Sequence, residues 1–206
     1  MSNPRVVDQD RLKRLARYLI GCPRAITTYA KQTNTKWIIG WSDSDWAGCL
    51  DTRKSTSGGL IKLGSHALKA WSSTQDNIAL SSAEAEFYAA VKCGSQLLGM
   101  KAMLEDLGVD FRIHLKIKID ASAAIGISMR KGLGKLRHIE VNQLWLQDAI
   151  HKGKIGIEKV DGKSNLADFL TKPADRDSMQ LHIEGSSMRM RMDRHPMAPT
   201  TAQEED

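Results

Sequence analysis

From Ser81 to Gly108 the sequence carries one unbroken helical pattern, and what precedes it alternates with the period of strands. That contrast constrains the chain more than any single motif, because a long helix must lay its apolar stripe on a sheet that neighbouring strands supply. Phe87, Ala90, Val91, Gly94, Leu97 and Leu98 recur at helical spacing and form the stripe. Ser81 and Glu84 have the capping-box spacing, so a hydroxyl and a carboxylate can satisfy amides at the helix start. Gly108 closes the other end as a C-cap. Glu86 has no such duty. It sits at the rim of the buried stripe, where an unpaired charge is costly, and is therefore the first candidate metal ligand.

Its partners are sought along the chain. Residues 36–43 read as a strand with Trp37, Ile39 and Trp41 on the buried face and Asp43 closing that face. Asp45, two residues on, is the alternative ligand there, with Asp43 left to cap a loop. Residues 51–57 are a hydroxyl-rich turn closing on Gly58 and Gly59. Residues 60–63 and 67–72 flank Gly64-Ser65 as a hairpin, which makes three successive antiparallel strands before the long helix. After the helix, 111–120 is a strand with Ile113, Leu115, Ile117 and Ile119 on one face, ending in Asp120. An alanine-rich helix (121–129), a basic turn (130–137), a helix (139–151), a strand (154–160) and a short helix (165–171) bearing Asp168 follow. The fold class is α/β: a mixed five-stranded sheet, three antiparallel strands then two more, flanked by helices. Asp120 could instead N-cap the helix after it, and Asp168 could be plain helix charge.

The regular part occupies residues 36–173. Residues 1–35 read as an amphipathic helix over 8–20, with Leu12, Leu15, Ala16 and Leu19 on one face, followed by a linker. Residues 174–206 lose periodicity and read as a disordered tail. Hydrophobic residues at 41% and charged residues at 26% exclude a disordered chain, and no apolar run approaches the roughly 18 residues of a membrane helix. No secretory signal is visible at the N-terminus. Three cysteines without a CxxC pair exclude an all-cysteine zinc site within one chain. No Ser-His-Asp or Cys-His arrangement for nucleophilic catalysis is found. Carboxylates at Asp43, Glu86, Asp120 and Asp168 suit magnesium, which prefers hard oxygen ligands. The net charge of +6 is compatible with a polyanionic partner.

The motifs themselves are Trp41-Ser-Asp-Ser-Asp-Trp-Ala-Gly48, Asp51-Thr-Arg-Lys-Ser-Thr-Ser-Gly58, Ala79-Leu-Ser-Ser-Ala-Glu-Ala-Glu-Phe87, Lys118-Ile-Asp120, Arg137-His-Ile-Glu140 and Asn165-Leu-Ala-Asp-Phe-Leu-Thr-Lys-Pro173. In this order they resemble the ribonuclease H domain of copia-type retrotransposon polyproteins, over roughly residues 10–173. The resemblance implies a ribonuclease H-like fold. It implies a hydrolase that cuts the RNA strand of an RNA–DNA hybrid during reverse transcription, with two magnesium ions (manganese as a substitute). It implies that Asp43, Glu86, Asp120 and Asp168 are the metal-binding and catalytic acids. It further implies a reverse transcriptase domain of the same polyprotein as partner, joined through the segment at 8–20. A cytoplasmic retroelement particle, or the nucleus, is the implied location. The alternative is a catalytically inactive nucleic-acid-binding or structural remnant of such a polymerase.

Substrate contacts are expected from Ser81 and Ser82 at the helix N-terminus, where amides and hydroxyls can meet a phosphate or a ribose hydroxyl, although plain capping explains them equally. Arg53, Lys54, Arg130, Lys131, Lys135 and Arg137 are the candidate phosphate holders. His138 is expected to be structural. The loop 161–165 holds no histidine, a departure from cellular ribonucleases H that bears on turnover rather than on metal binding.

Overall fold

A computed structural model describes residues 4–33, 35–109, 112–132, 134, 138–139 and 143–197. The chain divides into two units: one drawn from its two ends, up to Thr28 and from Met188 onward, and one spanning Tyr29–Ser187. In the first unit, α1 (Val6–Gly21) forms where its periodicity predicts but buries none of its residues. β1 (Arg24–Thr27) pairs antiparallel with β7 (Met188–Arg191). The larger unit holds β2 (Trp37–Asp45), β3 (Thr56–Leu63), β4 (His66–Thr74), α2 (Ser82–Asp106), β5 (His114–Ile119), α3 (Ser122–Met129), α4 (Trp145–His151), β6 (Gly156–Lys159) and α5 (Arg176–Gly185).

The five strands β2–β6 lie in the order β4-β3-β2-β5-β6. The first three run antiparallel, while β5 and β6 continue parallel to β2. This is the mixed sheet expected from the sequence, and it has one consequence for function. Adjacent parallel strands β2 and β5 end on the same side, and their register (Trp41 opposite Lys118) carries Asp43 and Asp120 to neighbouring strand ends. In open α/β sheets that is where ligands are met.

The core lies between the sheet and α2. Ile38, Leu115, Ile117, Ile119, Phe87, Ala90, Cys93 and Leu97 are all buried there. Gly40 decides how closely the helix approaches: a Cβ on it would meet Cys93 Sγ at 2.5 Å and Leu97 Cδ1 at 3.3 Å. The helix therefore lies almost on the backbone of β2, and the turn carrying Glu86 is brought to the end of that strand.

Three expectations need correction. The α2-facing side of β2 is formed by Ile38, Gly40 and Ser42, not by Trp37, Ile39 and Trp41; Trp37 is 42% exposed. A strand covered by a helix buries the parity that faces the helix, and tryptophan content alone does not reveal which one that is. The stretch expected to be a disordered tail contains α5, N-capped by Asp175 through Ser178 N, and the paired strand β7. Asp168 stands on a single 3-10 turn (Asp168–Leu170) rather than a helix over 165–171. Residues 140–142 and the strand start at 110–111 lie outside the described residues.

Candidate metal centre

Asp43, Glu86 and Asp120 converge. Each offers a carboxylate oxygen within 4.8 Å of the other two, the spacing a shared cation requires. Asp43 is 2% exposed and Glu86 8%, while Asp120 is partly open to solvent. Asp43 has the parity of Trp41 yet is buried, because the 168–171 turn covers it and the Thr171 hydroxyl donates to its Oδ2. The same hydroxyl stands 2.9 Å from the Asp168 carbonyl, and having one proton it serves one acceptor at a time. Glu86 is gripped by β2, whose Ser44 N–H donates to Oε1 (3.2 Å). Its Oε2 is buried with no hydrogen-bond partner. A buried carboxylate with one oxygen unsatisfied, grouped with two further carboxylates, is a donor set that fits a hard divalent cation.

The electrostatics agree with that fit. Burial pushes the Asp43 carboxyl up to about 6, opposed by the Thr171 hydrogen bond and the Lys172 charge and reinforced by Asp168 and Asp120. Burial, with the charges of Asp43 and Asp120 added, pushes Glu86 up to about 8 against the pull of Ser44. Three acids this close cannot all ionise without a counter-charge.

Asp168 is not one of the three. Its Oδ1 lies 2.5 Å from Lys172 Nζ, four residues on, and this contact raises the lysine above its ordinary range. Lys172 also feels Asp43 and Asp120, so an ammonium already supplies part of the counter-charge that the cluster needs. Asp45, the alternative to Asp43, has other work: its Oδ1 accepts from Thr56 N (3.1 Å) and closes the turn between β2 and β3.

The turn carrying Asp168 is fixed by Asn165 of its own motif and by Gly58 of β3. Asn165, fully buried, donates from Nδ2 to Ser42 O (3.0 Å) and accepts from Ala167 N (3.2 Å), binding the loop to β2 beside Asp43. Gly58, paired with Asp43 across β2 and β3, leaves room for the turn. A Cβ there would meet Thr171 Cγ2 at 2.7 Å, Ala167 O at 2.9 Å and Leu170 Cβ at 3.0 Å. Because one of those atoms is backbone, Gly58→Ala should push the turn away and cost about 1–3 kcal/mol, the usual range for overpacking. Urea unfolding reads that change; an unchanged midpoint would mean that the turn has slack.

The remaining candidates fall as follows. Ser81 caps α2, its Oγ accepting from Glu84 N (3.2 Å), while Ser82 is exposed in the first turn. The capping box is offset by one residue, since Glu84 Oε2 accepts from Leu80 N (3.0 Å) rather than from Ser81. Glu84 is also the partner of Tyr88 OH (2.7 Å) and His138 Nε2 (2.8 Å), so His138 ties its loop to the start of α2. Arg53, exposed at φ +58°, and the half-buried Lys54 occupy the turn between β2 and β3, at the end of the sheet where Asp43 lies. Arg130 is half-buried at the end of α3 and Lys131 is exposed. Lys135 and Arg137 lie outside the described residues.

A five-stranded mixed sheet in this order, with α2 across it and three acids gathered at its central strand ends, is an α/β domain carrying a candidate metal centre. No protein-family model matches the chain. It is homologous to the retrovirus-related Pol polyproteins of plant transposons. It is 28% identical over 182 residues to the Pol polyprotein from transposon TNT 1-94 of Nicotiana tabacum, an overlap covering 88% of this chain and 14% of that protein. It is 30% identical over 170 residues to the one from transposon RE1 of Arabidopsis thaliana, covering 82% and 12%. The chain thus spans only a small segment of these relatives. Among solved structures, ribonuclease H1 from the halophilic archaeon Halobacterium salinarum NRC-1 superposes with a TM-score of 0.46 at 15% identity, covering 66% of this chain and 94% of that one. LC11 ribonuclease H1, solved in complex with an RNA/DNA hybrid, superposes with a TM-score of 0.42 at 12% identity, covering 69% and 99%.

Proposed function

We propose that this chain is the ribonuclease H segment of a retrotransposon Pol polyprotein, a divalent-metal-dependent endonuclease acting on the RNA strand of RNA–DNA hybrids. The observation that carries the reading is the unpartnered Oε2 of Glu86, buried among carboxylates from three separate elements. Homology to Pol polyproteins supports it.

Asp43, Glu86 and Asp120 would hold the metal, and Asp168 would contribute once Lys172 yields its carboxylate. Two magnesium ions bound there would supply activation of water and neutralisation of charge at the phosphodiester. The chain's own residues supply position. Ser44 N–H orients Glu86, the Thr171 hydroxyl orients Asp43, and Asn165 holds the turn between them. Ser82, exposed at the start of α2 one turn before Glu86, would meet a phosphate or a ribose hydroxyl. Arg53 and Lys54 would draw phosphates toward the same end of the sheet. A reverse transcriptase domain of the same polyprotein is the proposed partner, raising the effective concentration of the hybrid.

The test is cleavage of a hybrid labelled on either strand, with and without magnesium, by the intact chain. Magnesium-dependent scission of the RNA strand alone is expected. Binding of the hybrid without any scission would select the inactive, nucleic-acid-binding reading instead.

A further inference from the structure

The side of the sheet that α2 leaves uncovered carries a ladder of aromatic rings and cations unrelated to the acids. Trp37, at the foot of β2, is opposite His114 of β5; their ring centroids are 5.0 Å apart with planes inclined at 35°. Lys116 places its ammonium 4.7 Å from the Trp37 ring centroid, and Lys118 places its own 5.9 Å from that of Trp41. Both lysines share one carboxylate, that of Glu158, at 2.6 and 3.3 Å. Two cations against one anion leave positive charge over two tryptophans. Round the end of the sheet from this ladder is a cleft of about 710 Å³, lined by Trp37, His114, Lys116 and Lys154 and, on its other side, by Leu98 and the paired Lys101 and Glu105 of α2.

A tryptophan serving only the core would be covered, whereas Trp37 is 42% exposed and presents its ring at a basic cleft. Flat exposed rings interleaved with lysines complement one kind of occupant: a strand whose bases are unpaired and whose phosphates carry the charge. A duplex hides its base faces. An acidic peptide would satisfy the lysines but leave the rings without stacking partners.

We propose that the Trp37–Trp41 face of β2 and β5, with the cleft below it, binds single-stranded nucleic acid, one unpaired base stacking on Trp37 and phosphates meeting Lys116 and Lys154. The site is separate from the acid cluster. Trp37 and Asp43 are six residue steps apart along β2, roughly 20 Å, or about six nucleotides at the rise of a stacked strand. The site does not depend on the nuclease reading.

The test uses the intact chain with chelator present and a fluorescent oligothymidylate, read by anisotropy. Trp37→Ala is expected to weaken binding about tenfold, in line with the loss of one stacked base. Trp37→Phe, which keeps a flat ring, should retain most of the affinity and guards against misfolding of the alanine variant. Lys116→Ala and Lys154→Ala should each reduce the salt dependence by about one counterion. With the chelator present no metal-dependent cleavage can occur, so this result stands or falls apart from that of the nuclease assay. Equal binding by wild type and Trp37→Ala, no binding by wild type, or equal Trp37-dependent binding of a fully paired duplex would each overturn the proposal.

Discussion

Glu86→Gln should abolish magnesium-dependent hybrid cleavage while leaving the fold intact. The amide keeps the shape of the side chain and an acceptor for Ser44 N–H, so α2 has no reason to move. What it removes is the charge on a carboxylate whose buried Oε2 has no protein partner. Metal assistance is worth several kcal/mol of transition-state stabilisation, so the rate should fall about a thousandfold or more. Gel analysis of RNA-labelled hybrid reads the rate, and hybrid affinity measured without metal should stay within about twofold. A variant that still cleaves at more than about a tenth of the wild-type rate would place the chemistry elsewhere.

The second large effect is on stability without metal. Asp43 rises from 3.8 to about 6 and Glu86 from 4.5 to about 8 on folding. Between about pH 4 and pH 8 the folded chain therefore holds protons that the unfolded chain has released, and stability falls as pH rises through that window. The metal-free protein should be most stable near pH 4 and lose on the order of 2–4 kcal/mol by pH 8.5, allowing for Lys172 and residual solvent. Asp43→Asn should flatten the slope and raise the melting temperature at pH 8. Saturating magnesium should do the same by a different route, since a bound cation stabilises only the folded form. Thermal melts across pH, with and without magnesium, check all three. Stability that rises between pH 5 and pH 8 in the metal-free wild type would contradict the clustering of these acids.

The strand-helix order was legible because its signals are local. Alternation marks the hairpin, and the 3.6-residue stripe of Phe87 to Leu97 marks α2. Asp43 joins the acid group. Strand parity puts it on one face with Trp41, as expected, but its cover there comes from Thr171, a residue 128 positions away. Long-range covers of that kind leave no periodic trace. The pairing of β1 with β7 was missed for the same reason, although Met188-Arg-Met-Arg191 does alternate; four residues are too few to stand out. The position of Asp168 was missed because an i,i+4 lysine can clasp a carboxylate or ignore it, and only the turn geometry decides which.

The β1–β7 pairing has a practical consequence. Two short segments at opposite reaches of the chain complete one another, so the smaller unit draws on both ends of the sequence and the larger on the stretch between. A clone stopped at Pro173, where the motif resemblance ends, would delete one half of that clasp and leave Arg24–Thr27 with bare amides and carbonyls. Unpaired strand edges invite pairing with a second molecule. Such a truncation should therefore self-associate in size-exclusion chromatography where the intact chain does not, and activity assays are best begun on the uncut sequence.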